Sequence, residues 1–186
     1  MIRRLLTTLI LWILVLTLIP PPTTAADPPP TTSTPNTAPK RPTDCATTFA
    51  ANPELIKYQA AVSDHYRDVH KLATGMGVTI GIIDTGVAPH PRLPPITDGG
   101  DFLEPKAGAT VDCDAHGTIV AGVIAAHDTG DGIVGVAPDA AIMSFRQTSS
   151  QSKETDTGGT LATLTTAINA AIDKKVQVIN ISVVSC

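Results

Sequence analysis

The chain is 186 residues long, with 13 Lys and Arg, 17 Asp and Glu and five His, for a formal net charge of −4. That balance gives no reason to expect nucleic acid as a partner, because phosphate binding needs a clustered excess of cations. The length suffices for one modest domain with a single core, even after a leader is set aside.

Met1-Ile2-Arg3-Arg4 is basic, and Leu5 to Ile19 is an uncharged, mainly apolar run of 15 residues. Pro20-Pro21-Pro22 stops any helix, and Thr24-Ala25-Ala26 supplies small residues suited to a signal peptidase. The pattern predicts a secretory signal over residues 1–26. The apolar run is short for a membrane span, which needs roughly 20 residues; an uncleaved anchor is the alternative. Export would permit disulfides. Nine of the 16 prolines lie between Pro20 and Pro42, so residues 27–44 read as an extended spacer. Residues 45–75 form an N-terminal extension. Within it Asn52 can cap a helix with Pro53 at the first position, and Leu55, Tyr58, Val62 and Tyr66 follow at helical spacing. These predict an amphipathic helix to about Leu72, in one piece or two, packed on the core as an arm.

Val78 to Ile83 is β-branched and apolar, as suits a strand buried on both faces, and it ends at Asp84-Thr85-Gly86. Pro89 to Val111 carries five prolines and reads as loop with at most one short strand. Gly117 to Ala126 predicts a buried helix starting near His116, and Ala141 to Phe145 a second core strand. Ser149 to Gly159 is polar and reads as flexible. Leu161, Leu164, Ile168, Ala171 and Ile172 share one helical face, with Lys174-Lys175 at the end where the macrodipole favours cations. Val176 to Val184 predicts a third strand. The alternation predicts an α/β fold with a parallel β-sheet flanked by helices.

Asp84 would sit at the C-terminal end of a parallel strand, the edge where open sheets place their sites. His116, 32 positions later, would open the next helix. Singly, either residue is more often structural than catalytic. Together, Ile80-Gly81-Ile82-Ile83-Asp84-Thr85-Gly86-Val87 and His116-Gly117-Thr118-Ile119-Val120-Ala121-Gly122-Val123-Ile124 closely resemble the Asp and His signatures of the subtilisin-like serine peptidases, the subtilases. Gly132 to Pro138, Gly158-Gly159 and Val178 to Ser182 agree with that family in order, so the likeness covers residues 76–186. It implies acyl transfer by an Asp-His-Ser triad, with Asp84 orienting His116 and His116 moving the serine proton. It also implies substrate binding by Gly159, Ser182 and Val183 through an added strand; no cofactor is expected, and the histidine spacing gives no reason to expect a metal site. No segment resembles the family's Gly-Thr-Ser nucleophile motif or the asparagine that completes its oxyanion hole. Asn180 and Ser182 belong to the pocket strand in the matching motif and do not replace them. The expectation is an N-terminal portion of the peptidase domain, incomplete at the C-terminus and inactive on its own.

Within the family, the leader, the proline-rich spacer and Asp112-Cys113-Asp114-Ala115-His116-Gly117-Thr118 resemble the mycosins, membrane-anchored subtilases of type VII secretion systems. That likeness implies a protein or peptide substrate, a membrane-embedded secretion complex as partner, and a place in the cell envelope. Val183-Val184-Ser185 departs from the Leu-Gly-Gly of ordinary subtilisins, so substrate preference does not transfer. Three cysteines leave at least one unpaired within the chain. The exported setting suggests a Cys45–Cys113 disulfide, with a buried free cysteine as alternative and Cys186 pairing elsewhere. Asp112 and Asp114 read as solvated carboxylates flanking the histidine. His65 and His70, five apart, do not share the face that two metal ligands need, and His90 and His127 read as surface residues.

Two other readings compete. The chain could be a non-catalytic partner in a secretion complex, or an inactive truncated product whose open sheet edge aggregates. A dinucleotide site is excluded because Gly75-Met76-Gly77 precedes the strand, whereas phosphate-binding glycines follow it.

Overall fold

A computed structural model describes residues 45–46, 52–103, 107–150 and 159–183. The predicted leader and spacer, the peptide through Gly158, and Val184 to Cys186 lie outside the described residues. Among the described residues no helix is long and apolar enough to cross a membrane.

The elements in order are α1 (Pro53–His70), β1 (Thr79–Asp84), β2 (Ile96–Asp101), α2 (His116–Ala125), β3 (Ala141–Arg146), α3 (Leu161–Asp173) and β4 (Val178–Ile181). The strands form one sheet in the order β2-β3-β1-β4, and every pairing is parallel. Ile80 lies opposite Ile142 on one side and Val178 on the other, which puts β1 in the middle. Alternation along β1 then divides the core in two, since successive side chains point to opposite faces. Ile80 and Ile82 join Ile142, Ala121 and Ala125 beneath α2, while Ile83 joins Phe145, Ala167 and Ala171 beneath α3. Phe145, Ile82, Ile83 and Ile142 are the largest apolar side chains fully removed from water. Each contributes roughly 1.5–3 kcal/mol relative to exposure. Small residues on both helices let the backbones approach the sheet.

The predicted fold class therefore holds, with differences in detail. The proline-rich stretch supplies β2 at the sheet edge, bulged between Asp98 and Gly100. The third predicted strand starts later, at Val178, because Lys175 turns the chain at φ 57° and the Val176 amide still bonds back to Ala171. The arm α1 is one helix of 18 residues, capped by the Asn52 side chain accepting from the Glu54 amide. It docks by only part of the apolar stripe predicted for it, with Val62 and Tyr66 half-buried. Leu55 and Tyr58 remain about 60% exposed. The docked face carries Ala60, Ser63, Arg67 and His70 instead. The Ser63 hydroxyl donates to the Val134 carbonyl and accepts from the Val134 amide, pairing with the backbone like a strand neighbour. Hydrogen bonds to the backbone at 132–136 thus join partial apolar burial in setting the helix's orientation.

Candidate active site

The site lies at the C-terminal ends of β1 and β3, where α2 begins. Asp84 is the last residue of β1 and is fully buried. Its Oδ1 accepts from the Thr85 amide at 2.7 Å and lies 2.7 Å from His116 Nδ1. The two predicted residues are thus a hydrogen-bonded pair. A carboxylate facing Nδ1 fixes the ring so that Nε2 is left to exchange protons with whatever enters. The His116 side chain is 54% exposed and its ring borders a cleft. Asp84 Oδ2 is buried with no partner among the described atoms.

The chain makes this approach with two glycines. Gly86 has φ 106°, and a Cβ there would lie 2.2 Å from the Val111 carbonyl oxygen. A Cβ on Gly117 would lie 2.1 Å from the Gly86 carbonyl oxygen. Neither distance admits a side chain, so both glycines are required for His116 to reach Asp84 across two backbones in contact.

The cleft encloses about 410 Å³ and is bounded by Thr85, Asp114, His116, Thr148, Ser149, Ser150, Ser182 and Val183. Of the predicted substrate-binding residues, Ser182 and Val183 therefore border the same space as His116. Gly159 does not border it, but lies at φ 90° against Gln147 and Thr148, behind the wall that Thr148 contributes. The Ser182 hydroxyl donates to Asn180 Oδ1 at 2.8 Å at the end of β4.

Asp112 and Asp114 are not the solvated bystanders that sequence suggested. Asp114 accepts from the Ser149 hydroxyl at 2.7 Å, from the Ser150 amide at 2.9 Å, and from the Ser150 hydroxyl. It thereby joins the loop before α2 to the segment after β3. Asp112 accepts from Thr85 and Thr118 on either side of the Asp84–His116 pair. Both partners of each carboxylate are remote or backbone-dependent, so residue spacing carried no signal for them. Gln147 was also missed: its side chain is buried, its amide bonds the Asp84 carbonyl at 2.8 Å, and its Nε2 donates to Thr160 and Thr163 at the start of α3. Arg146 and Asp101 form a buried ion pair at 3.0 Å across the C-terminal ends of β3 and β2.

Cys45 and Cys113 are joined in a disulfide that closes 68 positions, and the Ala46 amide bonds the Cys113 carbonyl at 2.8 Å. The extension is thereby tied three residues from His116. His90 is exposed, and His127 is half-buried, with its amide bonded to the Arg92 carbonyl.

The Subtilase family model matches residues 75–185. Mycosin-1 of Mycobacterium tuberculosis is 45% identical over 132 residues, 64% of this chain and 29% of that protein. Mycosin-4 of the same organism is 41% identical over 162 residues, 80% of this chain and 35% of that protein. The chain thus spans about a third of the length of these relatives. Among solved structures, the MycP3 protease from the type VII (ESX-3) secretion system is similar at a TM-score of 0.60 and 37% identity, over 67% of this chain and 36% of that one. A chain of the periplasmic assembly from the ESX-5 inner membrane complex is similar at a TM-score of 0.61 and 31% identity, over 75% of this chain and 40% of that one. Family model, relatives and parallel-sheet architecture agree: this chain belongs to the subtilase family and is of the mycosin type.

Proposed function

We propose that this chain supplies the Asp84 and His116 of a serine endopeptidase linked to type VII secretion, and that the serine nucleophile is supplied from outside these 186 residues. The observation that carries the reading is the buried carboxylate 2.7 Å from Nδ1 of a histidine that faces a cleft. In this mechanism the serine proton passes to His116 Nε2 as the serine oxygen attacks the peptide carbonyl. The charge that forms on the ring is stabilised by Asp84, and the same proton is then given to the departing amine. Ser182 and Val183 bind extended substrate from the β4 side and Thr148 to Ser150 from the opposite wall, with Gly159 keeping that wall narrow. Relatives described as parts of secretion assemblies support a secretion complex in the cell envelope as the partner.

The test is peptide hydrolysis by protein expressed from its complete reading frame. Asp84→Asn should lower kcat roughly 10⁴-fold, since it removes the acceptor that orients the ring. His116→Ala should lower it at least as much. Wild-type turnover that survives both substitutions would exclude the assignment. The likeness to a chain of the ESX-5 periplasmic assembly favours a second reading, a non-catalytic subtilase-like subunit. Stable assembly with the secretion complex, without hydrolysis, would select it.

A further inference from the structure

Helix α2 begins without a capping side chain of its own: the residue before it is Ala115, held in the left-handed region at φ 63°. The amides at such an end need acceptors. That of Gly117 bonds the Thr85 hydroxyl at 2.9 Å, and that of Thr118 bonds Asp112 Oδ2 at 2.9 Å. Asp112 Oδ2 also accepts from the Thr118 hydroxyl at 2.6 Å, and Oδ1 accepts from the Thr85 hydroxyl at 2.8 Å. The Thr118 hydroxyl in turn accepts from the Ala88 amide at 2.9 Å.

The proton count of this network fixes its direction. Each hydroxyl has one proton and gives it to Asp112, and each then accepts an amide from the other segment. Gly117 reaches the residue after Asp84, and Ala88 reaches a residue two past His116. An ionised carboxylate accepts only, so no hydroxyl in the chain of bonds can reverse without losing a partner. Asp112 itself is half-buried and precedes Cys113, whose disulfide and carbonyl contact restrain the loop. His116 alone, half-exposed, has little packing to hold it.

We propose that Asp112 is a positioning residue for the Asp84–His116 pair, clamping Thr85 and Thr118 so that Nδ1 stays on the carboxylate. This rests on the reading that the pair is catalytic. Displacement of a catalytic group by about 1 Å can cost on the order of 100-fold in rate, so the clamp should act on kcat.

Asp112→Asn keeps the shape but turns one acceptor end into a donor facing donors. In protein from the complete reading frame it should lower kcat roughly 10- to 100-fold with KM nearly unchanged. The downfield proton resonance of the His116–Asp84 hydrogen bond should broaden or disappear while the thermal unfolding transition stays cooperative. Should that variant fail to fold, Thr118→Val removes one donor of the clamp and should give a smaller loss of both signals, which Thr118→Ser restores. A folded Asp112→Asn or Thr118→Val protein with unchanged kcat and an unchanged resonance would overturn the proposal, leaving Asp112 as a helix cap alone. Wild-type protein without turnover, in which Asp112→Asn still abolishes the resonance, would uphold the positioning role and sink the peptidase reading.

Discussion

Two demands conflict at Asp84. The carboxylate is fully buried, which holds a histidine firmly, yet the histidine it holds is 54% exposed at a cleft. The chain resolves this by ending β1 at the aspartate and starting α2 at the histidine, so that one side chain points down and the other out. The contact depends on glycines at 86 and 117, whose missing side chains let two backbones touch. Gly117→Ala should therefore cost about 3 kcal/mol, the upper end of what overpacking costs, because the obstructing atom is backbone and cannot rotate away. Chemical denaturation should show this as a lower midpoint at an unchanged slope. A midpoint equal to the wild type's would mean the helix can shift outward without penalty.

Among elements, β1, α2, β3 and α3 were legible in the sequence because each carries a local signal: short β-branched or apolar runs in the strands, small and apolar residues in α2, and apolar residues at helical spacing in α3. The Asp84–His116 pair was legible because both members sit inside local motifs. The docking of α1 was not. Its apolar residues at 55, 58, 62 and 66 suggested one face, of which Val62 and Tyr66 are half-buried, but its hydrogen bonds to the core run to acceptors more than 60 positions away. No periodicity encodes a serine that bonds a distant backbone. The roles of Asp112, Asp114 and Gln147 were hidden for the same reason.

One of these remote contacts has a pH signature. Arg67 donates to Asp128 at 2.8 Å and to the Gly132 carbonyl at 3.0 Å. That hydrogen bond, helped by the Gly130 and Gly132 amides, lowers the Asp128 carboxyl to about 2. A carboxyl lowered in the folded state adds stability above the ordinary range near 4 and loses it as pH falls through its folded value. The α1 contact should therefore persist at neutral pH and weaken as pH drops from about 4 towards 2. Hydrogen exchange at the Val134 amide should accelerate over that window, and Asp128→Asn should produce acceleration already at pH 7. Exchange that is flat across the window in the wild type would show that Ser63 and His70 hold the helix without Arg67.

On the scale of the whole molecule, the sheet and the extension are held by different means. The sheet has two apolar cores, whereas the extension rests on a few hydrogen bonds and one disulfide. Closing a loop of 68 positions contributes on the order of 4 kcal/mol in the chain-entropy picture. Replacing Cys45 and Cys113 by Ala should lower the unfolding free energy by about that amount, with the largest loss of exchange protection in α1 and the loop at 112–113. Equal protection in the reduced and oxidised proteins would contradict it. At the far side of the sheet, β4 pairs only with β1 among the described residues, and Val178 and Ile181 are partly exposed on it.

The proposed function requires that Asp84 and His116 serve a serine nucleophile. Its most direct test is labelling of the protein from its complete reading frame with a fluorophosphonate, followed by peptide mass mapping. The expected result is one modified serine outside these 186 residues, modified far more slowly in His116→Ala. No modified serine, modification at Ser182, or an equal rate without His116 would contradict it.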